Sequence, residues 1–415
     1  MQAADGGGDV GCPGPAGGQA AADRTAARRP ARAETEQAAR RGWAEPPRVT
    51  LRREVSAAAA GAGSEQAFFA RLSEAGVTAR KRHSGTSPGH VTGYAVGLPG
   101  HTARDGGIVW YGGGKLAADL TLPRLRRRWT MPATEHGMFP GRGLPAGAAR
   151  ALLRNMVTET AGQLPDEAGF FAGLRQAGVL VRLRFSAIDP GQVTGYSVAL
   201  PGHDGADGTP LWYGGGRLSA GLTLPRLRSG WDPSRSTAAD RRGAFRCTDP
   251  ERNAIFEHAS RQAAAAAEHI RCSAGTDPAG AADAAWAAAD TLHVAARALG
   301  SPGLRRAADA YDRAARARHG RIPRATRQGS QLRTAARLMA MTGNITGDTT
   351  LVTAALIANL VALAIAVAEL REAQQHAAQA AAARTAAGHL QAASVPARSP
   401  APCPGGHRHL GAAVR

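Results

Sequence analysis

The chain has 415 residues, enough for two or three domains, but Ala, Gly, Arg and Pro dominate and only 5% of residues are aromatic, which excludes large apolar cores over much of its length. The formal net charge is +19, carried almost wholly by Arg since the only lysines are Lys81 and Lys115; this points to a polyanionic partner, nucleic acid or an anionic membrane surface, although the same skew also suits a GC-rich coding sequence. Cys12, Cys247, Cys272 and Cys403 are scattered without a Cys-x-x-Cys pair, which argues against a zinc ribbon or a disulfide framework and for a reducing, cytoplasmic setting.

Residues 1–45 are rich in Gly, Ala and Arg without periodicity and read as a disordered basic segment, with no apolar stretch of signal-peptide type. A short helix near Leu51–Val55 follows, matched later by Leu153–Val157. From here the chain repeats itself. Phe68 to Trp129 recurs without a gap as Phe170 to Trp231, so that Thr92-Gly93-Tyr94 matches Thr194-Gly195-Tyr196 and Leu98-Pro99-Gly100-His101 matches Leu200-Pro201-Gly202-His203. Trp110-Tyr111 and three glycines match Trp212-Tyr213 and three glycines. The unit is too long for a solenoid repeat and reads as two tandem globular modules, 46–130 and 151–231.

Within each copy the order of signals is the same. Glu65–Ala75 and Glu167–Ala177 are amphipathic helices, ended by Gly76 and Gly178 where a left-handed cap is wanted. Val179, Val181, Leu183 and Phe185 alternate with Leu180, Arg182 and Arg184, a strand pattern. Pro88-Gly89 and Pro190-Gly191 mark turns, Val91–Leu98 and Val193–Leu200 second strands, and Trp110-Tyr111 and Trp212-Tyr213 the ends of third strands. A last short helix starts near Pro123 or Pro225. The predicted class is α+β: two small helix–three-strand–helix modules, then an all-α, Ala-rich region, with disordered termini. Segments 131–150 and 232–248 read as linkers. Helices are expected near 250–271, 278–299, 302–318, 330–342 and 348–387 within the region 249–388, with a thin core from Trp286, Leu292, Leu299, Leu304, Leu332, Leu338 and Met339. Residues 389–415 read as a disordered tail.

The candidate binding residues are basic and duplicated. Arg80 and Arg82 correspond to Arg182 and Arg184; two apart in a strand, they share a sheet face. Arg124 and Arg126 correspond to Arg226 and Arg228 on the last helix, copy one adds Arg127 and Arg128, and Lys115 is replaced by Arg217. Guanidinium groups match phosphate in charge and in paired donors; a solvated strand face with surface arginines is the plainer reading. The triple glycine before Lys115 or Arg217 suits amide contact with phosphate or simply ends a strand, and it lacks the Gly-Lys-Ser/Thr ending of a Walker loop. Tyr94, Tyr111, Tyr196 and Tyr213 are candidates for base stacking, against a core role; nucleophilic catalysis by them lacks a neighbouring metal or base cluster. His101 and His203 read as loop residues that hydrogen-bond across the module. His407-Arg408-His409 sits in a Pro/Gly tail and reads as tail composition, so no metal or other cofactor is implied. Leu351–Ala368 is uncharged and at the lower edge of a membrane span, but its Ala content, Asn359 and Thr353 favour a buried helix or oligomer interface.

The repeated strings Phe-Phe-x-x-Leu-x-x-Ala-Gly-Val, Val-Thr-Gly-Tyr, Leu-Pro-Gly-His, Trp-Tyr-Gly-Gly-Gly-Arg/Lys-Leu and Leu-Thr-Leu-Pro-Arg-Leu-Arg resemble the region downstream of the nuclease domain in actinobacterial plasmid mobilization relaxases. Ala285-Trp286 to Gly300, Leu332–Arg337 and Ala354–Gln375 resemble their helical tail, so the resemblance spans about residues 47–390. It implies conjugative DNA processing. The family's nuclease tyrosine and metal-binding histidine cluster have no counterpart here, so the transfer context carries over and the nicking activity does not. The resulting expectation is a non-catalytic mobilization protein that binds DNA, with single-stranded DNA among the candidate forms, and whose helical region joins a relaxase nuclease, a coupling protein or, through helix 348–387, itself. The alternatives are a relaxase-type nickase with an unrecognised site and a membrane-associated interaction protein using 351–368.

Overall fold

The repeated sequence folds twice into the same small α+β module, and the Ala-rich half folds into a helical bundle that carries both. The structure is a computed structural model and describes residues 32–87, 90–103, 105–129, 141–231, 247–273, 275–315, 323–343 and 351–394.

A first helix, α1 (Arg32–Arg40), precedes module one, so part of the segment expected to be irregular is helical; residues 1–31 lie outside the described residues. Module one then runs α2 (Pro47–Gly61), α3 (Glu65–Glu74), β1 (Thr78–His83), β2 (Val91–Gly97), β3 (Tyr111–Gly112), a single turn α4 (Gly113–Leu116) and α5 (Leu122–Trp129). Module two repeats this as α6 (Ala146–Gln163), α7 (Glu167–Gln176), β4 (Leu180–Phe185), β5 (Val193–Ala199), β6 (Tyr213–Gly214), α8 (Gly215–Leu218) and α9 (Leu224–Trp231). Each sheet is antiparallel in the order β1-β2-β3 or β4-β5-β6. Helix α6 begins inside the stretch 131–150 expected as linker, because Pro145 ends the Gly-rich approach and an Ala-rich run follows it. The second linker falls largely on residues 232–246, and the Pro88-Gly89 turn on 88–89, all outside the described residues.

Local signals explain the elements. Ser64 and Asp166 cap α3 and α7, accepting from the amides of Ala67 at 3.1 Å and Gly169 at 2.8 Å. Gly76 and Gly178 end the same helices at φ +70° and +80°. One aromatic cluster centres each module: the Phe68 ring lies 5.2 Å from Tyr94 and 5.5 Å from Trp129, and the Phe170 ring 5.6 Å from Tyr196 and 5.3 Å from Trp231. The indole N–H of Trp129 reaches the Ala59 carbonyl at 3.4 Å, that of Trp231 the Ala161 carbonyl at 3.3 Å, and the last helix is thereby tied to the first.

The C-terminal half comprises α10 (Asp249–Ser273), α11 (Pro278–Ala298), α12 (Pro302–Ala315), α13 (Arg327–Met341), α14 (Leu351–Ala373) and α15 (Ala377–Ser394). Helix α10 packs on α14, α14 on α15, α15 on α12, α12 on α11, α11 on α13 and α13 back on α10, which closes a ring. Alanine dominates the seams: Ala281, Ala284, Ala285, Ala288 and Ala295 of α11 are all buried, and small side chains let helix axes approach closely. Of the expected thin core, Trp286, Leu292, Leu304, Leu332, Leu338 and Met339 are buried and Leu299 is half-buried.

The single helix expected over 348–387 is two helices. The chain breaks at Gln374–His376, where Gln375 adopts φ +57°, and α15 folds back along α14. Residues 389–394, expected in the tail, complete α15. Helix α14 is long and apolar enough to cross a membrane, and half of its most apolar stretch is buried against the bundle. Its Asn359 donates to Ser260 Oγ at 2.8 Å, and its buried Arg371 donates to the Ala314 carbonyl at 2.8 Å, at the C-terminal end of α12.

Both modules dock through their first helix. Helix α2 lies on α11 and α13, and α6 on α10 and α13. Equivalent arginines make the ties: Arg52 pairs with Asp309 at 3.0 Å and Asp312 at 3.3 Å, and its repeat partner Arg154 pairs with buried Glu251 at 2.6 Å.

Candidate nucleic-acid interface

Strand alternation turns Tyr94, Val96 and Ala79 toward the helices of module one, and Arg80 and Arg82 toward solvent. Across the sheet, Arg80 stands opposite Ala95, Arg82 opposite Gly93, and Ala95 opposite Gly112. The outer face is therefore built from two arginines on a floor of very small residues. Module two repeats it with Arg182 opposite Ser197, Arg184 opposite Gly195, and Ser197 opposite Gly214.

The floor fixes how the arginines lie. The Arg80 guanidinium sits 4.8 Å from the centre of the Trp110 ring, and that of Arg182 4.3 Å from Trp212. A Cβ placed on Gly93 would meet Arg82 Nη2 at 3.1 Å, and one on Gly195 would meet Arg184 Nη2 at 3.2 Å, so each guanidinium lies across its glycine. Among the described residues, no carboxylate lies within ion-pair distance of these four arginines. In each module two guanidinium groups, one on an indole ring and one across a glycine, thus face solvent from strand positions roughly 6.6 Å apart.

The other basic candidates divide. Lys115 and Arg217 are exposed on α4 and α8, and Arg127 and Arg226 are exposed on α5 and α9. Four are committed to the fold. Arg124 donates to the Ala118 carbonyl at 3.0 Å. Arg126 pairs with Glu65 at 2.6 Å, and Arg228 with Glu167 at 2.7 Å and with the Val193 carbonyl at 2.9 Å; this strut joins the last helix of each module to its second. Arg128 pairs with Asp290 of α11, so it docks module one on the bundle. In these positions the guanidinium's donors are already matched, which sequence spacing does not reveal.

The glycine triplet is a packing device. Gly112 ends β3 and Gly113 opens α4; a Cβ on Gly113 would stand 2.2 Å from the Leu120 carbonyl and 2.6 Å from Tyr94 Oη, and Gly215 repeats this with Leu222 and Tyr196. The Tyr94 hydroxyl donates to the Leu120 carbonyl at 2.6 Å and that of Tyr196 to the Leu222 carbonyl at 2.7 Å. Both tyrosines are buried, and desolvation pushes their hydroxyls well above the usual tyrosine range. They are core anchors, closed to a stacking base.

Tyr111 and Tyr213 are half-buried and hydrogen-bond across the module to buried His101 and His203, both at 3.3 Å between Oη and Nε2. Burial lowers both imidazoles, assisted at His101 by Arg41 and opposed at His203 by Asp204, while burial raises the two phenols. The pair is neutral His with protonated Tyr at neutral pH, a structural contact. Among the described residues, no group of three or more His, Cys, Asp or Glu is placed to hold a metal ion; His407 and His409 lie outside them.

Sequence reasoning passed over Trp110 and Trp212 as arginine platforms; their fixed spacing ahead of the repeated tyrosine was the available signal. It also passed over the hairpin end of module two, where Phe185 is 52% exposed and Ile188 96% exposed. Comparison of the chain with protein-family models, with curated proteins and with solved structures finds no match.

Proposed function

We propose that this protein binds nucleic acid, with DNA of a mobilization system as the intended partner, through the outer sheet faces of its two modules. The observation that carries the reading is the twofold recurrence of one arrangement: an arginine pair that meets no carboxylate among the described residues, held flat on Trp and Gly and open to solvent. A guanidinium in that setting has lost little freedom still to be paid on binding, and it offers its edge donors to phosphate and its free plane to a base. The mobilization context rests on the likeness of the repeat strings to relaxase C-terminal regions, and the bundle is then the part that meets a nuclease, a coupling protein or a second copy.

The test is fluorescence anisotropy with labelled oligonucleotides at several salt concentrations, comparing the intact protein with a variant carrying Arg80→Ala, Arg82→Ala, Arg182→Ala and Arg184→Ala. The expected result is a loss of at least tenfold in affinity and a salt dependence shallower by about 3, since each phosphate contact contributes about 0.7–0.9 to the slope. Unchanged affinity and slope would sink the reading. Nicking of supercoiled plasmid with magnesium or manganese, abolished by Tyr111→Phe or Tyr213→Phe, would instead establish the enzyme.

A further inference from the structure

The two modules share one hairpin but not its tip. In module one Ser84 Oγ accepts from the amides of Thr86 at 3.2 Å and Ser87 at 3.3 Å, and the Ser84 amide bonds the His90 carbonyl. In module two Ser186 Oγ accepts from Ile188 at 3.1 Å and Asp189 at 3.2 Å, the Ser186 amide bonds the Gln192 carbonyl, and Asp189 adds a bond from the Gly191 amide at 3.1 Å. Both strands end in the same register shift, after Arg82 and after Arg184. On this common frame, His83 and Thr86 of module one are replaced by Phe185 and Ile188.

Ile188 is 96% exposed and buries almost nothing within the chain, and Phe185 is 52% exposed and leaves half of its surface in water. A braced turn that holds two large apolar groups in water offers an apolar contact to something outside the molecule. Its neighbours say what that is: Arg184 directly precedes Phe185 in the strand and Arg182 lies three residues before Phe185, both arginines on the outer sheet face that runs up to the hairpin end. A basic surface ending in an apolar tip fits a ligand that is anionic along one edge and aromatic along the other.

We infer that Phe185 and Ile188 form a base-contacting tip that takes unpaired nucleobases, so that module two grips single-stranded nucleic acid while module one grips backbone alone. This rests on the nucleic-acid reading above. Duplex bases are stacked and closed to the tip, whereas the bases of a single strand offer their faces, and base–aromatic stacking is tolerant of sequence. The role given to tyrosines from sequence thus passes to a phenylalanine that the fold leaves exposed.

The internal repeat supplies the test. Phe185→His with Ile188→Thr installs the module-one residues on a hairpin known to accept them, and His83→Phe with Thr86→Ile does the reverse. Binding of the full chain to a single-stranded oligonucleotide carrying 2-aminopurine, and to its duplex, is measured for both and for Arg182→Ala with Arg184→Ala. The expected result is a roughly tenfold loss of single-strand affinity and of 2-aminopurine quenching for the module-two swap, with duplex affinity within twofold, and a gain for the reverse swap. If the swap leaves single-strand affinity and quenching unchanged while the arginine variant loses both substrates, the tip inference fails and the arginine faces stand. If the swap changes only sedimentation or binding to anionic phospholipid vesicles, the tip serves self-association or a membrane and the inference is overturned. If the intact chain binds neither oligonucleotide, both readings fall together.

Discussion

Gly113 and Gly215 illustrate how a residue's chemistry is decided by what stands next to it. Glycines ahead of a basic residue suggest amides offered to phosphate, yet these two are buried against a tyrosine hydroxyl and the carbonyl it bonds. Gly113→Ala and Gly215→Ala should each cost about 1–3 kcal/mol, because the added methyl displaces a close-packed buried group. Gly114→Ala, on the exposed side of the same turn, should cost less; urea midpoints of the three variants give the comparison. The arginines teach the same lesson. The sequence places Arg80 and Arg82 on one face because strands alternate, and that placement holds. It cannot separate Arg126, matched by Glu65 sixty-one positions away, from a free surface arginine, because the partner is brought there only by folding.

At the scale of elements, glycine stops and strand alternation made most of each module legible: the helix, the first two strands and the closing helix fall close to where the residue pattern puts them, whereas the third strand, expected to end at Trp110-Tyr111 or Trp212-Tyr213, is the two-residue Tyr111–Gly112 or Tyr213–Gly214. The break between α14 and α15 was not legible. Gln374-Gln375-His376 carries no Pro or Gly, and the surrounding residues favour helix, so local propensity argues for continuity. Folding back buries Ala380, Ala383, Ala386 and Leu390 against neighbouring helices, which outweighs a left-handed Gln375 at φ +57°. Gln375→Gly should therefore raise stability by about 1 kcal/mol, since glycine adopts this conformation without the Cβ clash. A lower urea midpoint for that variant would show that the turn is not the strained point it looks to be.

For the whole molecule, docking depends on buried charge and so on pH. Burial would raise the Glu251 carboxyl, but the Thr248 amide and the Arg154 guanidinium outweigh it and hold the group below its ordinary value. Its contribution is thus full above the unfolded carboxyl's pKa and is lost as pH falls through the lower folded value. Burial, with Arg261 adding, pushes His258 down to about 4 against a hydrogen bond that its ring donates to the Gly143 backbone carbonyl. The unfolded chain takes up that proton first, so stability falls as pH drops from about 6.5, the unfolded histidine value, toward 4. His101 and His203 act with the same sign. Urea unfolding from pH 7 to pH 4.5 should show this decline, and His258→Gln should flatten it. Glu251→Gln should instead cost about 3 kcal/mol at pH 7, by removing the carboxylate charge that Arg154 meets in the interior, and should leave the slope between pH 6.5 and 5.5 unchanged.

The duplication, the α+β order within each copy, the helical character of the second half and the shared strand face of the arginine pairs can all be read from residue order alone. Each of these follows from contacts a few residues apart, or from direct comparison of one copy with the other. Folding alone settles which arginines are matched by carboxylates, that Trp110 and Trp212 lie beneath Arg80 and Arg182, that the last long helix doubles back, and that Phe185 and Ile188 remain exposed. Those outcomes depend on which distant groups meet when alanine-lined helices and small sheets close on one another, and neither periodicity nor spacing encodes them.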